Sequence, residues 1–418
     1  MVNICDAIMG NGKSQSAIAY MNEHPEKRFI YITPYLEEAN RIKRGCADLH
    51  FVEPSNKLGE YKFKKHLHTA ALIKEGRNIA TTHQSFMAYT PDMLDDIRKW
   101  HYTLIVDENV DVLELYAASR EDVQLMVSGG YIREENGKYV RTEKEYHGKR
   151  FSDLINMMQS RELFVISAPN KEYFFYWVLP AQLFLSFEDV FVLTYLFEGQ
   201  SIHHFLKIYD IPYRYVGIEK TDGGPGFRFT ENAPGYVPGY TKRLGSMIHI
   251  LNNEKMNRVG DGYYALSMNW YDKKKNAAEV EQLKKNMFNL YHNIWGDVPQ
   301  ERRAWGTYKM YQHKVKGRGY SKSFLVFNAK STNRYSNCDH LAYLSNVFMN
   351  TNEQLFYQAY GINVDSDMYA LSIMVQWIWR SAIRNGKEIY LYLPSKRMRN
   401  ILSNWINSLS KGGASCEE

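Results

Sequence analysis

Cysteine is scarce in this chain, with only four in 418 residues, and no long apolar run is present. The cysteines (Cys5, Cys46, Cys338 and Cys416) are scattered, without a C-x-x-C pair or a zinc-ligand spacing, so the sequence predicts neither a disulfide framework nor a structural zinc site. No stretch approaches the length that crosses a bilayer, and no charged-then-apolar leader opens the chain. We therefore expect a soluble cytoplasmic protein with reduced thiols.

A block of like charge is also lacking. Lys and Arg number 52 against 46 Asp and Glu, which gives a net charge of +6 and an isoelectric point near 8.8. This mild basic excess is compatible with a polyanionic partner but is not as concentrated as a basic tail. With 44% hydrophobic and 23% charged residues, the chain is long enough to bury two cores, so two domains are expected.

The chain begins with a strand, loop and helix pattern that is typical of phosphate binding. A short apolar run over residues 2–7 leads into a loop with two glycines and then into an apolar-periodic helix. Gly10 and Gly12 allow backbone N–H groups to turn towards a phosphate, and the N-terminus of the helix points to the same place. Lys13 supplies a positive charge for the outer phosphates, and the Ser14 hydroxyl can ligate Mg²⁺. The alternative is a glycine-rich turn without a ligand. The predicted nucleotide contacts are Gly10, Asn11, Gly12, Lys13, Ser14 and Gln15.

Two acids follow a strongly apolar strand. Residues 102–106 run directly into Asp107 and Glu108, and acids at the end of a buried strand are costly unless they face a charged ligand. Asp107 is expected to hold Mg²⁺, and Glu108 to polarise the water that attacks the γ-phosphate. The alternative, that both acids only cap the next turn, is outweighed by the phosphate loop upstream.

Apolar runs alternate with helical stretches through the first part of the chain, as a parallel α/β sheet requires. The patterns predict strands over 28–33, 78–82, 102–106, 164–169 and 190–199 and a helix over 34–42. The last of these strands ends in Thr194, which either delivers a polar group to the same sheet edge or is a packed strand residue.

Residues 216–260 are rich in glycine and proline, which indicates a linker or an irregular excursion. Beyond them the patterns predict strands over 263–268, 323–327 and 388–393 and a helix over 277–295. A basic segment that contains Lys314, Lys316 and Arg318 also contains Tyr311 and Tyr320. This combination suits single-stranded nucleic acid, and a solvated basic loop is the alternative.

Gln376, Arg380 and Arg384 are spaced four apart in a segment that the pattern predicts to be helical, which would place them on one face. Two neighbouring arginines repel each other unless an anion lies between them. A γ-phosphate supplied by the other domain is such an anion, and an arginine that reaches it stabilises phosphoryl transfer. The alternative is an ordinary basic helix face.

Together these motifs resemble those of superfamily 2 DEAD/DEAH-like helicases, in particular the compact type encoded by bacteriophages and prophages. Residues 7–14 look like the Walker A motif, 107–110 like the DExx box, 193–195 like the coupling motif, 328–335 like motif V and 376–384 like motif VI. Residues 32–35 and 81–86 look like the motifs that touch the nucleic-acid backbone. Motif VI departs from the family pattern, because Trp379 replaces a glycine and the second arginine comes one residue late.

The resemblance implies an α/β fold of two RecA-like parallel-sheet domains, the helicase core of P-loop NTPases, with an irregular insertion or linker between them. The expected boundaries are 1–215 and 261–410 for the domains, 216–260 for the linker and 411–418 for a disordered tail. ATP and Mg²⁺ are the implied cofactors, with Ser14 and Asp107 as metal ligands. The implied catalytic residues are Lys13, Glu108, Gln376, Arg380 and Arg384. The implied nucleic-acid contacts are Thr33, Pro34, Thr82, His83, Thr194, Asn328, Thr332 and Asn333.

The function that the resemblance implies is ATP-dependent translocation or unwinding of nucleic acid. DNA is expected rather than RNA, single-stranded or forked, in phage-type replication or recombination in the host cytoplasm, alongside replication or recombination proteins. Two other ATPases stay open: a nucleotide-switched nucleic-acid-binding protein that does not unwind, and a terminase-like packaging motor. A P-loop kinase is the weaker alternative, since a kinase does not need two such halves.

Overall fold

The computed structural model of the chain describes residues 1–34, 36–57, 64–167, 172–221, 226–231, 239–329 and 334–410. The strands are β1 (Val2–Asp6), β2 (Arg28–Thr33), β3 (Ile79–Thr82), β4 (Tyr102–Asp107), β5 (Leu113–Tyr116), β6 (Ile132–Glu135), β7 (Lys138–Arg141), β8 (Glu162–Ser167), β9 (Tyr173–Val178), β10 (Asp189–Thr194), β11 (Tyr213–Tyr215), β12 (Gly217–Lys220), β13 (Phe227–Thr230), β14 (Ile248–Ile250), β15 (Arg303–Gly306), β16 (His340–Tyr343) and β17 (Ile389–Tyr392).

The helices are α1 (Lys13–Glu23), α2 (Leu36–Gly45), α3 (Lys65–Lys74), α4 (His83–Phe86), α5 (Pro91–Lys99), α6 (Arg120–Ser128), α7 (Ser152–Met157), α8 (Gln182–Leu185), α9 (Ser201–Ile208), α10 (Leu244–Met247), α11 (Glu254–Asn257), α12 (Met268–Asp272), α13 (Ala277–Asn289), α14 (Gln312–Val315), α15 (Thr351–Ala359), α16 (Ser366–Ile378) and α17 (Lys396–Ser410). None of the helices in the described ranges is long and apolar enough to cross a membrane.

The chain divides into two compact units. The first comprises Met1–Ile8, Gly12–Gly235 and Asn350–Val364, and the second comprises Met9–Asn11, Tyr236–Met349 and Asp365–Glu418. Each unit contains a parallel sheet. The expected α/β class with two parallel-sheet domains is therefore confirmed.

The sheet of the first unit has six parallel strands in the order β11-β1-β10-β4-β2-β3. Its central strands are buried along almost their whole length, which explains why they read as continuous apolar runs in the sequence. β10 lies between β1 and β4, so the carboxyl ends of these three strands meet at one edge of the sheet. That edge carries the glycine-rich loop, the two acids and Thr194.

An antiparallel sheet is inserted between β4 and β10. Its five strands follow the order β5-β9-β8-β7-β6, and they enclose a separate apolar core with α6 and α7 to which Val123, Leu154 and Trp177 contribute. The neck of the insertion is closed by the backbone N–H of Leu179, which donates to the carbonyl oxygen of Val112 at 3.1 Å. Sequence patterns predict only one strand of this sheet, the one observed as β8.

The described part of residues 216–260 contains regular structure. β12 and β13 form an antiparallel hairpin, and Phe229 of this hairpin stacks on Phe191 of β10 with ring centroids 5.1 Å apart. Short helical turns and β14 follow from Thr241 onwards. The hairpin belongs to the first unit and β14 to the second.

The sheet of the second unit has four parallel strands in the order β14-β17-β16-β15. Its core is unusually aromatic, with Trp305, Tyr271, Tyr320 and Tyr392 all buried. The helix predicted over 277–295 is α13, which continues into a single π-helical turn at Leu290–Ile294.

Two strands predicted for the second unit do not form. Residues 263–266 make turns because Leu266 adopts a φ of +67° and the Asn346 side chain binds the carbonyl oxygens of Tyr263 and Ala265. In the segment 323–327 only Phe324 makes a β-bridge, to Trp305 of β15. The strand predictions at 28–33, 78–82, 102–106 and 388–393 are confirmed by β2, β3, β4 and β17. The strand predicted over 190–199 is observed as β10, which ends at Thr194.

The three cysteines in the described ranges are buried free thiols. The predicted disordered tail, 411–418, and Cys416 within it lie outside the described residues.

Candidate nucleotide-binding site

The loop after β1 adopts a geometry that glycine makes possible. Gly10 and Gly12 have φ values of +82° and +85°, in the left-handed region, where a side chain is strained. Gly12 also has no room for a side chain, because a Cβ atom there would lie 2.4 Å from the Phe227 ring of β13. The loop is tied to β10 by the Ala7 N–H, which donates to the Thr194 carbonyl oxygen at 3.0 Å.

Helix α1 starts immediately after this loop. Gly12 is its N-cap residue and offers no side chain that could bond the first N–H groups, and the first turn contains no acid. Unsatisfied N–H groups and the positive end of the helix dipole make this terminus suitable for an anion. The predicted contact Gln15 lies in this first turn and is exposed.

The Lys13 ammonium group is folded back into the loop. It donates hydrogen bonds to the carbonyl oxygens of Ala7 and Ile8, the latter at 3.2 Å. Burial lowers the pKa of Lys13, and the negative groups nearby, including Asp107 and Asp6, counteract this effect. A partly desolvated ammonium group that faces backbone oxygens is well placed to exchange them for phosphate oxygens.

Asp107 is buried at the carboxyl end of β4. Its carboxylate accepts a hydrogen bond from the Tyr31 hydroxyl at 2.7 Å, and its backbone carbonyl lies 2.8 Å from Nε2 of His83. Burial and the adjacent charge of Glu108 together raise the pKa of Asp107 to about 6, while the Tyr31 hydrogen bond opposes the shift. A cation beside Asp107 would therefore stabilise the charged form of its carboxyl group.

Glu108 has a strained backbone. Its φ of +64° is unusual for a residue with a side chain, and its N–H donates to the Leu193 carbonyl oxygen of β10 at 3.0 Å. Strain of this kind is found mostly where a side chain must point in a direction that regular structure does not allow. The two acids thus separate at this point, with Asp107 in the strand and Glu108 in the turn that follows it.

Tyr31 is a site residue that sequence reasoning missed. It is fully buried on β2, and its hydroxyl donates to the Asp107 carboxylate at 2.7 Å. Burial raises the pKa of Tyr31, and the Ser14 side chain in the first turn of α1 opposes this rise. A recognisable signal was a tyrosine between the apolar residues Phe29, Ile30 and Ile32 of the strand that pairs with the one ending in Asp107.

Asp6 is a second residue that the motifs did not indicate. Its carboxylate accepts hydrogen bonds from the N–H groups of Leu196, at 2.8 Å, and Phe197, at 3.0 Å. Thr194, at the end of the neighbouring strand, is buried and donates to Gln200 at 2.6 Å. These bonds fix the turn after β10 against β1. The predicted coupling role of Thr194 stays a prediction.

The other residues predicted to touch nucleic acid in this unit lie along the same edge. Thr82 caps α4 by accepting the Ser85 N–H at 3.4 Å, and the His83 ring is bonded to the Asp107 carbonyl as described. Thr33 is fully buried at the end of β2, and its hydroxyl has no hydrogen-bond partner within the described ranges. Pro34 follows it and is half-buried. Their contacts with nucleic acid stay predictions.

Ser14 and Asp107 together are compatible with Mg²⁺. The Tyr31 hydroxyl donates to the Asp107 carboxylate, and the Ser14 side chain opposes the rise in the pKa of Tyr31 that burial causes, so both oxygens lie near the same phenol. Mg²⁺ in nucleotide sites commonly takes one or two protein oxygens and completes its shell with phosphates and water. Groups of three or more His, Cys, Asp or Glu suited to a metal do not occur in the described part of the chain, so a metal held by protein alone is not indicated there.

The helix predicted to carry Gln376, Arg380 and Arg384 is shorter than expected, and this is a correction. α16 ends at Ile378, so only Gln376 is helical, while Arg380 lies in a turn and Arg384 in a 3₁₀ turn. The chain leaves the helical path because the Ser381 hydroxyl bonds the Ile378 carbonyl oxygen at 2.6 Å and the Ala382 N–H bonds that of Cys338 at 2.9 Å. The three side chains therefore do not share one helix face.

The basic segment of the second unit also differs from the sequence interpretation. Tyr311 and Tyr320, expected to stack on bases, are buried in the core of the unit. Lys316 and Arg318 are exposed. Asn328 is exposed in a turn, whereas the predicted contacts Thr332 and Asn333 lie outside the described residues.

The chain is similar in sequence to one family and to one curated protein. Residues 242–406 match the model described as the YonV C-terminal Rossmann-like domain. Over 420 residues the chain is 34% identical to the SPbeta prophage-derived uncharacterized protein YonV of Bacillus subtilis (strain 168), an alignment that covers 97% of this chain and 99% of that protein.

Among solved structures the chain is similar to an XPD protein in its apo form, with a TM-score of 0.49 and 11% identity over 96% of this chain and 95% of that one. It is also similar to S. tokodaii Xpd4, with a TM-score of 0.48 and 10% identity over 97% and 94% of the two chains. For the DUF1998 helicase MrfA bound to DNA and AMPPNP the TM-score is 0.36, with 8% identity over 98% of this chain and 48% of that one.

Proposed function

The chain belongs to the family of the prophage protein YonV, and we propose that it is an ATP-dependent helicase or translocase that acts on DNA in phage-type replication or recombination. The proposal includes ATP and Mg²⁺ as cofactors and single-stranded or forked DNA as the substrate.

One observation carries the nucleotide part of the proposal: the glycine-rich loop and the two acids meet at the sheet edge formed by the carboxyl ends of β1, β10 and β4. Phosphate, metal and attacking water are the three things that hydrolysis of a nucleoside triphosphate must bring together. The loop N–H groups and Lys13 suit the phosphates. Ser14 and Asp107 suit the metal, and Glu108 suits the water.

The position of β10 between β1 and β4 is compatible with coupling between a bound nucleotide and the turn that follows β10. The end of β10 contacts both neighbouring strand ends, through the Thr194 and Leu193 carbonyl oxygens. A change at the nucleotide can therefore reach the turn after β10 through direct hydrogen bonds. Within the proposal, Thr194 transmits the state of the nucleotide, and Arg380 is the arginine that stabilises the transferring phosphoryl group.

Nucleic acid as the partner is supported by the motif resemblance and by the exposed basic residues of the second unit. Binding through phosphates would make the protein nearly blind to sequence, and affinity would fall with salt. A family relative encoded by a prophage is compatible with a role on phage DNA.

The test is ATP hydrolysis by the purified protein without nucleic acid and with single-stranded DNA, double-stranded DNA or RNA. We expect DNA to stimulate hydrolysis, and Lys13→Ala and Arg380→Ala to abolish it. Lys99→Ala, which removes an exposed lysine at the end of α5, is the matched control and should leave the rate unchanged. Hydrolysis that no nucleic acid alters would reject the motor and leave a nucleotide switch.

A further inference from the structure

A tyrosine side chain from the second half of the chain contacts the glycine-rich loop directly. The Tyr240 hydroxyl donates a hydrogen bond to the Met9 carbonyl oxygen at 2.6 Å. It also lies against the next residue, since a Cβ atom on Gly10 would be 2.4 Å from the hydroxyl oxygen. Met9, Gly10 and Tyr240 belong to the same compact unit. The phenol therefore fills the space on this side of the loop.

The backbone of Tyr240 is anchored in a short turn. Tyr240 is the N-cap residue of the 3₁₀ turn Thr241–Arg243, and its carbonyl oxygen accepts the Arg243 N–H at 3.0 Å. Thr241 and Leu244, which follow it, are buried. The hydroxyl thus reaches the loop from a backbone that is held by the fold. This turn lies within residues 216–260, where the sequence indicates a linker or an irregular excursion.

The carbonyl groups at the start of the loop have two different donors. Ala7 and Ile8 accept hydrogen bonds from the Lys13 ammonium group, whereas Met9 accepts from Tyr240. Phosphate oxygens that replace the two carbonyl oxygens at Lys13 would break both of the lysine's bonds to the loop. The bond from Tyr240 does not involve Lys13, so it can persist when a phosphate is bound. Tyr240 can therefore hold the loop in one conformation before and after binding.

Peptide geometry connects this bond to the groups that suit a phosphate. The Met9 C=O and the Gly10 N–H belong to one planar trans peptide unit, in which they point in opposite directions. With the carbonyl directed at Tyr240, the Gly10 N–H lies on the opposite face of the loop, where it can bind an anion. A flip of this peptide, which the conformational freedom of glycine permits, would present a carbonyl oxygen to the phosphate instead. The Tyr240 bond opposes that flip.

We propose that Tyr240 is a positioning residue that presets the peptide unit between Met9 and Gly10, so that the Gly10 N–H meets a phosphate group of the nucleotide. This inference rests on the proposed function and deepens it, because it places control of the phosphate loop in a residue outside the recognised motifs. Tyr240 acts through the peptide and does not touch the nucleotide. A loop that is preset loses less conformational entropy when the ligand binds, so removal of the hydroxyl lowers the affinity.

The first measurement is the displacement of a fluorescent ATP analogue by ATP, ADP and inorganic pyrophosphate at a fixed Mg²⁺ concentration. Tyr240→Phe keeps the ring and removes the donor. Loss of one hydrogen bond between neutral groups should weaken the binding of all three competitors about two- to tenfold, and by the same factor, because each places phosphates in the loop. Pyrophosphate carries no base or ribose. A loss confined to ATP and ADP would place the effect at the nucleoside and overturn the proposal.

Hydrolysis gives a second readout. A group that holds the loop equally well in the bound ground state and in the transition state changes affinity and not the rate at saturation. Hydrolysis by Tyr240→Phe at saturating ATP should therefore stay within about twofold of the wild-type rate. A slower rate at saturation with unchanged affinity would assign the hydroxyl to the chemical step and reject the positioning role. Tighter binding by the variant would show that the phenol obstructs the loop, which also rejects it.

Tyr335→Phe is the matched control. The Tyr335 hydroxyl also donates to a backbone carbonyl oxygen at 2.6 Å within the same unit, but its acceptor is Phe324. This variant should shift the melting temperature about as much as Tyr240→Phe does and leave all three affinities unchanged. 4-Aminophenylalanine at position 240 restores a donor and should restore the affinities. It also decides the case in which Tyr240→Phe melts early, because recovery of stability without recovery of affinity rejects the proposal.

The outcomes separate this inference from the function on which it rests. If the wild-type protein binds neither the fluorescent analogue nor the three competitors, the proposed ATPase and the role of Tyr240 both fail. If the wild type binds them and Tyr240→Phe binds them equally well, the nucleotide site stands and only the positioning role is lost.

Discussion

Removing the Tyr31 hydroxyl tests the proposed metal site most directly. Tyr31→Phe keeps the buried ring and deletes the hydrogen bond that the phenol donates to Asp107. A hydrogen bond to a charged group contributes about 1.5 to 3 kcal/mol, and one pKa unit corresponds to about 1.4 kcal/mol. The pKa of Asp107, already raised to about 6 by burial and by Glu108, should therefore rise by about one to two units.

This shift predicts a pH-dependent defect in Mg²⁺ binding. A protonated Asp107 cannot ligate Mg²⁺, so a carboxyl pKa of about 7 to 8 would lower the apparent Mg²⁺ affinity at pH 7 by about twofold to tenfold. Near pH 9 the carboxyl group is charged in both proteins, and the difference should disappear. In the wild type the same loss should begin only below about pH 6, where its own Asp107 takes up a proton.

The assay is a Mg²⁺ titration of the binding of a fluorescent ATP analogue at about pH 6, 7 and 9. Tyr89→Phe is the matched control, because Tyr89 is also a buried tyrosine of the first unit, and its ring packs on Phe86. A defect of Tyr31→Phe that persists unchanged at alkaline pH would mean that the hydroxyl acts on the fold and not on the charge of Asp107. That result would refute the reasoning.

Three further substitutions follow from the site. Glu108→Gln should bind ATP as the wild type does but hydrolyse it about 100-fold or more slowly, and a parallel loss of binding in the same titration would contradict the assigned role. Arg380→Ala should slow hydrolysis by about 1,000-fold with little change in ATP affinity; unchanged single-turnover rates would remove it from catalysis. Gly12→Ala should lower the free energy of unfolding by at least about 1 to 2 kcal/mol, from backbone strain and from collision with the Phe227 ring. In denaturant titrations, adding Phe227→Ala to Gly12→Ala should remove the destabilisation that comes from the collision and leave the part that comes from backbone strain. Full recovery of stability, or no recovery at all, would show that one of the two causes is absent.

Five strands of the first sheet, β1, β2, β3, β4 and β10, could be predicted because they are buried along most of their length, whereas β11, which is largely exposed, was not predicted. Residues 29–32 and 104–106 are apolar without interruption, and short runs of this kind within a buried strand are typical of a parallel sheet. The glycine-rich loop could be predicted for a related reason. Positive φ values at Gly10 and Gly12 are a local property that glycine makes inexpensive.

Elements that depend on tertiary contacts could not be predicted in this way. α16 ends where Ser381 and Ala382 find hydrogen-bond partners, and one of these partners, Cys338, is far away in the sequence. Likewise, the segment that begins at Tyr263 is β-prone, yet the Asn346 side chain holds it in turns. Local propensity describes what a segment prefers alone, and both cases show a distant residue overriding it.

The inserted antiparallel sheet escaped prediction because its strands are short and largely half-exposed. The role of Tyr31 was equally hidden from sequence patterns. A hydroxyl on one strand that donates to a carboxylate on the neighbouring strand is a property of the folded sheet and has no motif.

The inserted sheet also bears on how the first unit can assemble. β4 and β10 are neighbours in the parallel sheet, although the whole segment between Asp107 and Asp189 separates them along the chain. Because β5 pairs with β9 and Leu179 bonds to Val112, an insertion that folds first brings its own ends together. The loop that β10 must close then shortens about fivefold, which lowers its closure entropy cost by on the order of 1.4 kcal/mol. Early folding of residues 113–178 would thus favour the pairing of β10 with β4, which places Leu193 beside Asp107.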